Sequence, residues 1–436
     1  MRLPRTGPAL MLVCALAAGC SEPASETAPE SGPASETPTG ATSSTSPSPL
    51  RTPEPADPDQ PTSWGPTVGE LERAGRLVAE MSTRELAGQV IVGRYDGTDP
   101  AAPAAMVRDL HLAGVSVASS NVADEAQVRA TTAAVSQAHA ADGRDWPAVI
   151  GVDEEGGVVS HLGGVATEFP PFAAAGAAVA GGRAGEQVVT EAARATSLEL
   201  RDLGFTWVFA PVADVTIGSA DPTIGSRSPS GDPALAARAV GAAVEGYEQG
   251  GLVSTTKHFP GHGGVTADSH LRLPVLRSSL PQLRGRDLRP FEAAVEAGAP
   301  AIMMAHLDVR AMQAGTPSSQ APKVYDYLRD ELGFEGVTIT DSLGMGAALS
   351  EDFPAIRALR AGADLLLMPV DTATTHQLVV DAVESGDVPR ARVVEAATRV
   401  VALQLWQQRV AADVRVPADV VERAERAAAE LAAAGS

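Results

Sequence analysis

Val253-Ser254-Thr255-Thr256-Lys257-His258-Phe259-Pro260-Gly261-His262-Gly263, running on to Asp268-Ser269-His270, contains in one stretch the unit from which the chain is built. Val253–Lys257 reads as a short buried strand. It ends on a lysine and an imidazole, and Pro260, Gly261 and Gly263 then impose a loop with turn backbone.

The unit recurs in both directions. Apolar runs occur at Gln89–Tyr95, Gly114–Ser119, Ala148–Val152, Trp207–Val212, Ala301–Ala305, Gly336–Thr340 and Ala363–Met368. With the first stretch they make eight, separated by longer Ala- and Arg-rich stretches of helical character. Ser82 followed by Glu85 has the spacing of a capping box at a helix start. Eight strand–helix units predict an α/β fold, a (β/α)8 TIM barrel with enlarged loops forming a single catalytic domain. A doubly wound open sheet fits the same pattern of runs. The position of the polar residues favours the barrel. Asp153, Asp214, Lys257 with His258, His306 and Asp341 each follow a run. In a barrel these positions share one mouth at the C-terminal ends of the strands.

Asp268 and His270 are two apart, which in an extended loop points both side chains the same way. A carboxylate beside an imidazole fixes its tautomer and suits it to proton transfer near neutral pH. Three histidines and a carboxylate also suit a metal site, and His258 and His262 have i, i+4 spacing. Pro260 and Gly261 between them argue against a helix, and the first strand lacks a His-x-His pair, so no metal is expected.

The flanks read differently. Arg2 and Arg5 precede an apolar run, Ala9–Ala18, too short to span a bilayer. Leu16-Ala17-Ala18-Gly19-Cys20 resembles a bacterial lipoprotein cleavage box, which makes residues 1–20 a signal peptide and Cys20 the lipidated N-terminus. The expected location is extracytoplasmic, anchored to the membrane through Cys20. Cys14 falls in the removed segment, so no disulfide is expected. Residues 21–63, rich in Pro, Ser, Thr and Glu, cannot bury enough apolar surface to offset their ordering entropy and read as a disordered tether. The catalytic domain is expected over 64–410, followed by an Ala-rich helical tail over 411–436. The balance of 33 basic and 54 acidic residues, a net charge of −21 without a basic stripe, excludes a nucleic-acid partner.

Lys257-His258-Phe259-Pro260-Gly261-His262-Gly263 with Asp268-Ser269-His270 resembles the signature of glycoside hydrolase family 3, in its β-N-acetylglucosaminidase branch. The resemblance continues in order through Val152-Asp153-Glu154-Glu155-Gly156-Gly157, Ala210-Pro211-Val212-Ala213-Asp214-Val215, Ile224-Gly225-Ser226-Arg227-Ser228 and Thr340-Asp341-Ser342-Leu343-Gly344-Met345, and spans about residues 70–410. It implies a retaining hydrolase of terminal β-linked N-acetylglucosamine. Asp341 would be the nucleophile, His270 the acid/base and Asp268 its partner. Asp153, Arg227, Lys257 and His258 would hold the hydroxyls and acetamide of the sugar. Such chemistry needs no cofactor. The expected substrate is a small saccharide or muropeptide from cell-wall peptidoglycan, taken by a monomer. A β-glucosidase of the same family and a weakly catalytic sugar-binding lipoprotein are the competing readings.

Many family members draw the proton donor from a further domain. This chain ends soon after the barrel, so the donor is expected from the barrel itself. Aromatic content of 4% favours a pocket that reads one terminal sugar over a long stacking cleft. Two positions depart from the family pattern. Val158-Val159-Ser160-His161 replaces Arg-Val-x-Arg, putting His161 at a sugar contact, and Ser342 follows the nucleophile where a second Asp is common.

Overall fold

The eight runs form eight parallel strands: β1 (Ile91–Gly93), β2 (Gly114–Val117), β3 (Val149–Val152), β4 (Trp207–Val208), β5 (Val253–Phe259), β6 (Ala301–Met304), β7 (Val337–Thr340) and β8 (Leu366–Leu367). They belong to a computed structural model of the chain that describes residues 57–221 and 223–436. The signal segment, Cys20 and the tether up to residue 56 lie outside the described residues.

Each strand pairs with its sequence neighbours, and β1 pairs with β8 through Ile91↔Leu366 and Val92↔Leu367. The ring closes between β7 and β8, where Ile339 bridges Leu365 and the Thr340 N–H donates to the Leu365 carbonyl at 3.0 Å. A closed ring leaves no sheet edge, which excludes the doubly wound alternative. The strands are buried on both faces, and most are near-continuously apolar, as such a position requires.

One principal helix follows each strand: α1 (Ala101–Asp109), α2 (Glu125–Ala141), α3 (Arg183–Asp202), α4 (Pro233–Gly250), α5 (Arg289–Glu296), α6 (Pro322–Asp326), α7 (Pro354–Ala361) and α8 (Thr372–Ser385). Their starts carry local signals. Asp124, Asp232 and Asp371 cap α2, α4 and α8 through their carboxylates, and Pro occupies the first turn of α4 to α7. The Ser82–Glu85 capping box forms as its spacing predicts, at the head of the helix Thr83–Gln89.

The folded unit starts before residue 64. Gln60 and Pro58 accept backbone hydrogen bonds from Val68 and Gly69, and Ser63 donates to Glu335 at 2.8 Å. Residues 57–63 are therefore part of the domain, because they complete the entry to the capped helix Val68–Ala79. At the other end α9 (Arg390–Asp413) runs beside that helix, and α10 (Val420–Ala434) lies along α3 through Ala424, Ala428 and Leu431.

The end of the barrel opposite the mouth is fastened by Asp364, a fully buried carboxylate just before β8. It accepts from the Thr338 N–H at 3.0 Å and meets Arg329, Arg392 and Arg399 at 2.8, 2.7 and 3.3 Å. Burial pushes its pKa up, but the three guanidiniums override this and hold it below the usual carboxylate range. One side chain thus ties β7, β8 and α9 together. Asp364→Ala strands three partly buried cations and is expected to lower stability by about 3–5 kcal/mol, read as a fall in the urea midpoint.

Candidate active site

The C-terminal ends of the strands open into a cavity of about 330 Å³. Asp153, Arg227, Lys257, His258, His161, His270 and Asp341 all line it. Residues from four separate strand ends and their loops, as far apart in sequence as 153 and 341, therefore share one site.

Its centre is Lys257. The pairing of β5 with β6 slips between Thr256 and Phe259, and this irregularity brings the consecutive residues Lys257 and His258 to the same mouth. The Lys257 side chain is only 2% exposed, and its ammonium lies 2.5 Å from Asp153 and 2.6 Å from Glu155. Burial works against its charge, but the two carboxylates override that and raise its pKa. Glu155 in turn receives Arg227 in a two-pronged pair, Nε to Oε2 and Nη2 to Oε1, both at 2.8 Å. Burial pushes the Glu155 carboxyl up, yet Lys257 and Arg227 bring it down to about 2.

Glu155 was absent from the residues expected at the site. The signal was present: Asp153 and Glu155 are two apart, so an extended segment leaving β3 turns both toward the same side. Gly156 and Gly157 turn the chain back at once. Both have positive φ, and a Cβ on Gly156 would meet the Pro170 carbonyl oxygen at 2.5 Å.

Asp214 and His306 also end strands, but they lie beneath the cavity, fully buried, rather than in its wall. Asp214 accepts from His258 Nδ1 at 2.6 Å and from the His262 N–H at 2.6 Å, so it orients the first imidazole and fixes the loop that follows. His306 Nδ1 meets Ser319 Oγ at 2.6 Å and its Nε2 meets the Ser342 carbonyl at 3.0 Å. His258 and His262 face different partners, Asp214 and Ser269.

Asp341 follows β7. Its Oδ1 accepts the Ser342 N–H at 2.7 Å, and it forms no ion pair among the described residues. The surrounding protein raises its pKa by desolvation, but His258, His306, the Ser342 N–H and Lys257 together hold it below the usual carboxylate range. The group is an ionised carboxylate facing the cavity.

Asp268 and His270 meet as expected, with His270 Nδ1 2.8 Å from Asp268 Oδ1. The segment is a turn rather than the extended loop the spacing suggested. Leu271 and Arg272 both donate their N–H groups to the Asp268 carbonyl, and Asp268 Oδ1 also accepts the His270 N–H at 2.9 Å. Burial pushes the Asp268 carboxyl up, but the backbone and side-chain bonds from His270 together outweigh it and lower its pKa overall. The His270 ring is 61% exposed and stands at the rim.

The description "Glycosyl hydrolase family 3 N terminal domain" matches residues 82–403. The chain belongs to glycosyl hydrolase family 3. A Beta-hexosaminidase of Stenotrophomonas maltophilia (strain R551-3) is 38% identical over 262 residues, covering 59% of this chain and 76% of that protein. Beta-hexosaminidase LpqI of Mycobacterium tuberculosis is 31% identical over 420 residues, 93% of this chain and 98% of its own. The structure of a family 3 β-N-acetylglucosaminidase from Paenibacillus sp. str. FPU-7 superposes with a TM-score of 0.72 at 31% identity, covering 80% of this chain and 68% of that one. The protein is thus a glycoside hydrolase, and the cavity at the barrel mouth is its candidate active site.

His161, the departure from the family pattern, is held by its backbone and its ring. Its N–H donates to Glu154 Oε2 at 3.1 Å, and its Nδ1 accepts the Ser119 N–H at 3.1 Å. An accepting Nδ1 leaves the ring's proton on Nε2, a single neutral donor. Glu154, between Asp153 and Glu155, points the other way. It accepts the N–H groups of both His161 and Leu162. Burial pushes its pKa up to about 7, against the hydrogen bonds to Ser160, Leu162 and His161 that lower it. A carboxyl raised in the folded state favours folding below its unfolded value near 4.5, and that contribution disappears as pH rises through about 7. Wild type should lose on the order of 2–3 kcal/mol of stability between pH 4.5 and 8 through this group. Glu154→Gln should lack that part of the slope, as read from urea midpoints across the range.

Proposed function

We propose that the protein is an exo-acting, retaining β-N-acetylglucosaminidase that removes terminal β-linked N-acetylglucosamine from cell-wall fragments. One observation carries the reading. Of the carboxylates that line the cavity, Asp153 and Glu155 are bound to buried cations, whereas Asp341 makes no ion pair among the described residues. Asp341 is therefore the carboxylate available to attack. Its lowered pKa keeps it ionised throughout the neutral range.

The chemistry follows from the two sides of the site. An Asp341 oxygen attacks the anomeric carbon as the bond to the leaving oxygen breaks. His270 gives that oxygen a proton, and Asp268 keeps the imidazole oriented. The covalent glycosyl-enzyme is then hydrolysed by water, from which His270 takes a proton. Lys257, Arg227, His258 and His161 supply donors to the sugar's hydroxyls and acetamide oxygen, and Met345 and Met368 give the wall an apolar surface for the acetamide methyl. Because Lys257 and Arg227 are already fixed by Asp153 and Glu155, substrate binding need not order them.

The lipoprotein box read in the sequence supports anchoring by Cys20 outside the cytoplasm, where cell-wall glycans are at hand. Asp341→Ala should lower kcat/KM on an aryl N-acetyl-β-glucosaminide by about 10³-fold or more. Equal rates on the matching aryl β-glucoside by the wild type would instead favour a broad β-glucosidase. For the anchor, Cys20→Ala should move the protein from the membrane pellet to the soluble fraction, and an unchanged distribution would refute lipidation there.

A further inference from the structure

Ser269 lies between two solvent-facing side chains. Those of Asp268 and His270 are 37% and 61% exposed, whereas Ser269 is 2% exposed. Its hydroxyl is 2.9 Å from His262 Nε2. His262 Nδ1 is buried without a partner among the described residues, so the contact with Ser269 is what the ring's polar edge does. Burial lowers the pKa of His262, so the ring is a neutral strut. It stands on firm ground, since its own N–H is held by Asp214.

The main chain of the same segment is tied to a second element. Ala347 donates its N–H to the Ser269 carbonyl, and Gly346 donates to the His270 carbonyl, both at 3.1 Å. These two donors belong to the loop that begins at Asp341. A Cβ at Gly346 would come within 2.9 Å of the His270 oxygen and 3.0 Å of the Leu271 oxygen, both main-chain atoms that cannot swing aside. The close approach of the two loops requires glycine there.

We propose that His262, Ser269 and Gly346 are positioning residues that staple the turn carrying His270 to the end of β5 and to the loop of Asp341. The His270 side chain itself is mostly in solvent, so these contacts beneath it set where its imidazole stands over the cavity. Proton transfer requires hydrogen-bond reach, so loosening the staple weakens acid assistance. The inference rests on the reading of His270 as the acid/base.

The test compares kcat/KM on 2,4-dinitrophenyl and phenyl N-acetyl-β-glucosaminides. The first leaving group departs without a proton and the second requires one. His270→Ala should raise the dinitrophenyl-to-phenyl ratio at least 100-fold. Ser269→Ala and Gly346→Ala should each raise it at least tenfold. If both variants lower the two substrates in parallel, with the ratio within twofold of wild type, the staple is structural only and the proposal fails. If His270→Ala also leaves the ratio unchanged, the acid/base assignment is wrong and the proposal falls with it. Should Gly346→Ala not fold, Ser269→Ala, which removes a single hydroxyl, decides alone.

Discussion

A lysine ammonium buried between two carboxylates governs this site. Lys257 could not remain charged at 2% exposure without Asp153 and Glu155, and Glu155 could not remain ionised without Lys257 and Arg227. Each member makes the others affordable in a low-dielectric wall. Removing one partner from such a set leaves an unpaired buried charge, typically a loss of about 3–5 kcal/mol. The network joins the ends of β3 and β5 and the loop after β4, so the same contacts that close the mouth of the barrel present its donors to a substrate.

The barrel makes this arrangement possible through two layers. The upper layer touches the cavity: Asp153, Lys257, Arg227, His258 and Asp341. The lower layer holds the upper one in place and is nearly inaccessible. Asp214 fixes His258 and the backbone of His262, His306 braces the Ser342 carbonyl beside Asp341, and Glu154 holds the N–H groups of His161 and Leu162. A charged pocket built this way is pre-organised, so binding need not order its side chains. At the far end of the strands Asp364 performs a purely structural version of the same task with three arginines.

The fold was largely legible because its signals are local and repeated. Seven of the eight runs contain a whole barrel strand, the eighth, Val253–Lys257, is the start of a strand that continues to Phe259, and the polar residue after a run is found at or beneath the mouth. Asp214 and His306 show the limit of that reasoning: position at a strand end does not tell wall from support, because that depends on packing between neighbouring strands. Glu155 shows another. Its two-residue spacing from Asp153 was visible, but its partners Lys257 and Arg227 lie 102 and 72 residues away and meet it only in the closed ring. The turn at Asp268–His270 differs from the extended loop suggested by its spacing, because the Asp268 carbonyl collects two N–H donors that no side-chain pattern announces. Residues 57–63 look like tether by composition, and join the domain through backbone bonds for the same reason.

The central claim is that Asp341 forms a covalent bond to the sugar. A 2-deoxy-2-fluoro-glycoside with an activated leaving group slows both steps and allows the intermediate to accumulate. Intact mass measurement after incubation should show one added fluorosugar per chain, and peptide mapping should place it on Asp341. An adduct on another residue, or turnover that releases the product with inverted anomeric configuration and no adduct, would contradict the account.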